Sequence, residues 1–63
     1  MKTTKFVYLY VIQQYYIALG WEDVGAHDKA DNDAYKNARQ ELKLYRENQP
    51  EYPARIIERR EAR

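Results

Sequence analysis

The 63-residue chain offers few groups able to make or break a covalent bond. It contains no cysteine and no serine, so neither a Ser-His-Asp nor a Cys-His arrangement can be assembled. Thr3 and Thr4 are its only aliphatic hydroxyls, and His27 is its only histidine, which excludes a histidine metal pair. Carboxylates gather from Glu22 to Asp33, where Glu22, Asp23, Asp28, Asp31 and Asp33 stand against Lys29. A calcium loop needs oxygen ligands at alternating positions, a central glycine and a closing glutamate. Here Lys29 follows Asp28, no glycine follows Asp33, and Tyr35 occupies a ligand position. The stretch therefore reads as helix capping and solvated charge. Adjacent carboxylates such as Glu22 and Asp23 point to opposite faces of a strand and do not readily share a substrate. These patterns predict a non-enzyme with no catalytic residue, metal or cofactor.

The residues suited to contact are more numerous. Seven tyrosines are unusual in so short a chain, and Arg55, Arg59, Arg60 and Arg63 gather near the C-terminus with Glu58 and Glu61. Arginines beside sheet-borne aromatics are what a single-strand nucleic-acid platform uses, with bases stacked on rings and guanidinium groups on phosphate. Tyr8, Tyr10 and Arg59 fit such a surface. A charged edge strand that resists aggregation uses the same arginines. Trp21 reads as a core residue, since a single tryptophan in a small core is most often its central packing group. Tyr15 and Tyr16 read as exposed contact residues.

Residues 6–12 (Phe, Val, Tyr, Leu, Tyr, Val, Ile) are aromatic, β-branched or leucine, the composition of a strand over about 5–13. Its faces are Phe6/Tyr8/Tyr10/Ile12 and Val7/Leu9/Val11, and neither is polar, as in a central strand. Gly20 opens a second strand over about 20–26, joined by a hairpin loop of about five or six residues. Trp21 and Val24 fall on opposite faces unless a bulge intervenes. A helix over about 31–47 is capped by Asp28 or Asp31 and turns Ala34, Tyr35, Ala38, Leu42 and Tyr45 toward the sheet, leaving Leu44 off the stripe. Asn48 suits a left-handed helix end and Pro50 forbids continuation. A third strand spans about 54–60, with Ile56 and Ile57 facing opposite ways. The prediction is an α+β fold, β-β-α-β, with a three-stranded antiparallel sheet in order 2-1-3 and one helix on one face. One helix leaves the other face uncovered, so that face is expected to display large side chains, chiefly tyrosines, as an interface.

Formal net charge is only +1, which argues against a DNA-coating protein and against an acidic nucleic-acid mimic. The basic start and the apolar run from Phe6 to Ile12 hint at a signal peptide. The polar Gln13-Gln14 that follows and the short remainder after cleavage argue against one. No segment approaches the roughly 20 apolar residues of a membrane span. The expectation is a single cytoplasmic domain.

Tyr10-Val11-Ile12-Gln13, then Gly20-Trp21-Glu22-Asp23-Val24, Tyr45-Arg46-Glu47-Asn48 with Pro50, and Tyr52-Pro53-Ala54-Arg55-Ile56-Ile57-Glu58-Arg59-Arg60 stand in order along the chain. This pattern resembles small uncharacterised accessory proteins of tailed bacteriophages and prophages over most of its length. Where those relatives carry a Gly/Asn-rich link before the tryptophan, this chain has Gln14-Tyr15-Tyr16-Ile17-Ala18-Leu19. The resemblance implies an accessory phage protein in the cytoplasm of an infected bacterium, acting by binding and modulating a host protein, with defence factors among the candidates. The residues expected to contact a partner are Tyr8, Tyr10, Tyr15, Tyr16, Arg55, Arg59 and Arg60. The alternatives are a single-stranded nucleic-acid ligand and a homodimer closed through the exposed sheet.

Overall fold

The computed structural model of the chain describes residues 6–62. Strand β1 (Phe6–Tyr16), strand β2 (Gly20–Asp28), helix α1 (Ala34–Asn48) and strand β3 (Ala54–Ala62) follow one another. The strands form one antiparallel sheet in order β2-β1-β3, so the fold is α+β with the strand order that the sequence predicts. The expected start of the first strand at residue 5 lies outside the described residues. β1 runs on to Tyr16 because Gln13 and Gln14 keep partners on both sides, Asp23 and Arg55 for the first, Glu22 and Ala54 for the second. That extension shortens the hairpin loop to residues 17–19, in place of the five or six expected. Gly20 closes the turn at φ 79°, a left-handed conformation that favours glycine.

The helix begins three residues later than expected. Residues 31–33 are turn and bend, and Asp33 stands at the N-cap without a side-chain capping bond. Asp28 does not cap either; its Oδ1 accepts from Ala30 N–H at 2.9 Å and turns the chain ahead of the helix. At the other end Gln49 N–H bonds to Tyr45 O at 2.9 Å, with Gln49 at φ −136°. No described non-glycine residue has a positive φ, so the left-handed Asn48 is corrected. Pro50 alone is enough to stop the helix.

Ile12, Ala38, Leu42 and Ala54 form the core, with Tyr10, Val24, Tyr45 and Ile56 packed around them. Ala34 and Ala38 let the helix lie close to the sheet, giving a slab only 11 Å thick between Cα atoms and 49 Å long. Leu44, off the stripe, is exposed, and Tyr35 is also half exposed and flanks the stripe.

A bulge sets the second strand. Ile12 pairs with Gly25 and Gln13 with Asp23, which leaves Val24 as the extra residue. Val24 turns into the core, where its carbonyl accepts from Tyr45 Oη at 3.1 Å. The slip also turns His27 to the helix side, 2.6 Å from Glu41 Oε1. A Cβ on Gly25 would meet that same Glu41 oxygen at 2.8 Å, so the bare backbone there is what admits the carboxylate.

Two expectations about the faces are corrected. Tyr8, Tyr10 and Tyr16 share the alternation of Ile12, and Ile12 is the residue that α1 buries, so they lie on the helix side. The open face, expected to display chiefly tyrosines, has Tyr15 alone of the β1 tyrosines, with Val7, Leu9, Val11 and Gln13. Trp21 opposes Tyr15 on the helix-free face and is 36% exposed rather than central to the core. Among the described residues no helix is long and apolar enough to cross a membrane.

Shortening the deepest side chain tests this account. Ile12→Val should cost about 1 kcal/mol, lowering the thermal midpoint by roughly 4–8 °C in a domain of this size. Leu44→Ala, on the exposed flank of α1, should stay within about 0.5 kcal/mol. Paired melting curves of the two variants check it.

Candidate protein-binding site

On the helix-free face the side chains of the two outer strands meet across β1. Gln13 Oε1 accepts from Arg55 Nε at 3.0 Å and Nη2 at 2.8 Å, while Gln13 Nε2 donates to Asp23 Oδ1 at 2.8 Å. Arg59 grips the same carboxylate with both prongs, Nη1 to Oδ2 at 2.5 Å and Nη2 to Oδ1 at 3.2 Å. Since Arg59 opposes Leu9 and Asp23 opposes Gln13, the bridge passes diagonally over the strand at Val11, which is only 1% exposed. The bond from Arg59, and then that from Gln13, hold the Asp23 carboxyl below its ordinary range. The Arg59 guanidinium is raised in turn, chiefly by its bond to Asp23. Toward the hairpin, the Arg55 guanidinium lies 3.9 Å from the Trp21 ring centroid, and Tyr15 meets Trp21 edge-on at 5.4 Å.

The helix side holds a separate arrangement. Lys29 reaches over β1 to a hydrogen bond with Glu58, its Nζ 4.7 Å from the Tyr10 ring centroid. That bond raises the Lys29 ammonium above its ordinary value. Tyr10 also meets Tyr35 edge-on at 5.2 Å. Tyr16 packs on Tyr52 at 4.9 Å and donates its hydroxyl to Gln14 Oε1 at 2.8 Å. Beyond the helix, Tyr8 opposes Arg60, whose guanidinium lies 4.4 Å from the Phe6 ring. The seven expected contact residues are thus divided: Tyr15, Arg55 and Arg59 on one face, Tyr8 and Arg60 at the far end of the other, and Tyr10 and Tyr16 packed against neighbouring tyrosines. They do not form one platform.

A cleft of about 400 Å³ lies between α1 and β3. Its helix wall is Tyr35, Arg39, Leu42 and Arg46, spaced by four, three and four residues and so on one side of the helix. Its sheet wall includes Ile56 and Glu58, with Tyr10 beneath. Arg46 Nη2 donates to Ala54 O at 3.1 Å, and Arg39 Nη1 approaches the Tyr35 hydroxyl at 3.4 Å. Among the described residues, no carboxylate oxygen lies within 4.0 Å of Arg39, Arg46, Arg55 or Arg60. Arg59, by contrast, is held by Asp23, with Glu61 at 3.9 Å. Tyr35, Arg39 and Arg46 were not among the residues expected to bind. Their helical spacing is visible in the sequence, but it becomes a site only once β3 is known to lie beside that side of α1.

No family model, curated protein or solved structure matches the chain. Among the described residues, no three His, Asp or Glu side chains come together as metal ligands.

The Asp23 bridge carries a pH signature. A carboxyl whose folded value lies below its unfolded one contributes stability that is fully present above the unfolded value and fades as pH falls through the folded one. Asp23→Asn should therefore melt below the wild type at pH 7, and the gap should close as the pH is lowered past the ordinary carboxylate range toward about 2. Melting curves of both proteins across that interval check it.

Proposed function

We propose that the chain is a non-enzymatic accessory protein that acts by binding another protein, with the β3 side of its sheet as the binding surface. The observation that carries this reading is the cleft beside β3, where Arg39 and Arg46 meet no carboxylate within 4.0 Å among the described residues. Guanidinium groups without a counter-ion at a half-open cleft are available to acidic groups of a ligand, and such charge-assisted bonds are the strong ones. The helix-free face is less suited, because Arg59 is held there by Asp23 and Arg55 by Gln13 and Trp21. The sole histidine is hydrogen-bonded to Glu41, and the chain has no serine or cysteine for it to activate. The resemblance to tailed-phage accessory proteins makes the partner a protein of the infected bacterium, a defence factor being one such target.

The same arginines, close to Tyr35 and Tyr10, favour a second reading in which the ligand is a single-stranded nucleic acid. The immobilised protein should retain a stoichiometric protein from host lysate that nuclease treatment does not release. Arg39→Glu with Arg46→Glu should weaken that retention about tenfold or more, while Leu44→Ala leaves it intact. A fluorescent oligo-dT should show no binding at low salt. Tight oligonucleotide binding with a steep salt slope would instead establish the nucleic-acid reading.

A further inference from the structure

β3 is an outer strand, and its backbone pattern shows which of its groups are free. Tyr15 N–H bonds to Pro53 O at 2.9 Å, in the register that continues through Gln14 with Ala54. Tyr15 and Pro53 are thus a hydrogen-bonded pair, and so, two residues at a time, are Gln13 with Arg55, Val11 with Ile57 and Leu9 with Arg59. The N–H and C=O groups of Ala54, Ile56, Glu58 and Arg60 then point away from β1. The Arg46 bond to Ala54 O agrees with this, since it reaches that carbonyl from the outer side. From Ile56 onward the outer edge of β3 is regular, with no bulge and no proline. The edge of β2 differs, because it is broken by the bulge at Val24 and carries Glu22, Asp23 and Asp28.

We propose that this edge takes an extended acidic polypeptide segment as a fourth strand, its alternate carboxylates entering the cleft against Arg39 and Arg46. The inference rests on the protein-binding reading above and names the chemistry of the partner. Three observations choose the occupant. The edge presents amides and carbonyls in alternation, which another polypeptide can match on both counts, whereas a phosphate backbone offers only acceptors. Arg39 and Arg46 line the cleft beside that edge with no carboxylate within 4.0 Å among the described residues, so the side chains that alternate toward them are acidic. A second copy of this chain is the wrong occupant: its β3 edge would bring its own Arg39, Arg46 and Arg60 against these, and its acidic β2 edge is broken by the bulge at Val24, with Asp23 already bonded to Arg59.

The probe is a fluorescein-labelled peptide of about nine residues, the length of β3, with glutamate alternating with threonine. Its isomer carries the same residues with the glutamates contiguous. Fluorescence anisotropy should show the alternating peptide binding about tenfold more tightly than the isomer, and Arg39→Glu with Arg46→Glu should abolish the difference. Glu58→Pro removes an outward N–H that the β1 ladder does not use, and should weaken binding about fivefold to tenfold. Glu58→Ala keeps that N–H, removes a repelling carboxylate, and should bind at least as tightly as the wild type. Circular dichroism shows whether Glu58→Pro folds; if it does not, the isomer comparison and the arginine variant decide alone. Equal binding of the two isomers, or of Glu58→Pro and Glu58→Ala when both are folded, overturns strand addition. The lysate experiment keeps the two readings apart. A partner retained by folded Glu58→Pro but lost by the arginine variant ends strand addition and leaves protein binding standing. Peptide binding as described with no host protein retained ends the host-protein reading and leaves strand addition standing.

Discussion

β1 is apolar on both faces and there is one helix to cover them. That imbalance organises the rest of the molecule. The helix takes the side of Ile12, because that position can be fully enclosed by Ala38, Leu42 and Ala54, and strand alternation then carries Tyr8, Tyr10, Gln14 and Tyr16 to the same side. The opposite side keeps Val11 at 1% exposure without a second layer. Its cover is drawn from the neighbouring strands, as Arg59 reaches across to Asp23 and Gln13 ties Asp23 to Arg55. Long side chains with apolar stems and charged heads suit that task, since they shield the strand while the heads stay hydrated.

This use of charge separates the arginines into two kinds. Arg59 closes a bridge within the fold, and its partner's depressed carboxyl reflects the bond. Among the described residues, Arg39 and Arg46 close no ion pair; they stand on one side of α1 and overlook the outer edge of β3. An edge strand of nine residues invites pairing, and the positive charge beside it selects against a second positive edge. In the proposed strand addition, preference for an acidic strand over a second β3 edge comes from that same charge.

Much of the architecture was legible in the sequence. Residues 6–12 announce a two-sided strand, Pro50 and Pro53 bracket the turn after the helix, and Ile56 and Ile57 divide between two faces as expected. What the sequence did not disclose is which face of β1 the helix chooses. Tyr8, Tyr10 and Ile12 share one alternation and Val7, Leu9 and Val11 the other, and both sets are apolar. The choice depends on tertiary packing of Ile12 against small helix residues, which no local pattern contains. The bulge at Val24 was foreseen only as a condition, and its consequence, His27 turned to Glu41 beside Gly25, needed the helix in place. The cleft was hidden for a similar reason: Arg39 and Arg46 look like ordinary exposed helix residues until β3 lies beside them.

The measurement that tests the account most directly is residue-resolved amide hydrogen exchange of the free protein. If the outer edge of β3 is open in the register described, Ile57 and Arg59, which bond to β1, should exchange slowly, while Ile56, Glu58 and Arg60, which point outward, should exchange quickly. Uniform protection from Ile56 to Arg60 would mean that the edge is already covered, and would contradict the account.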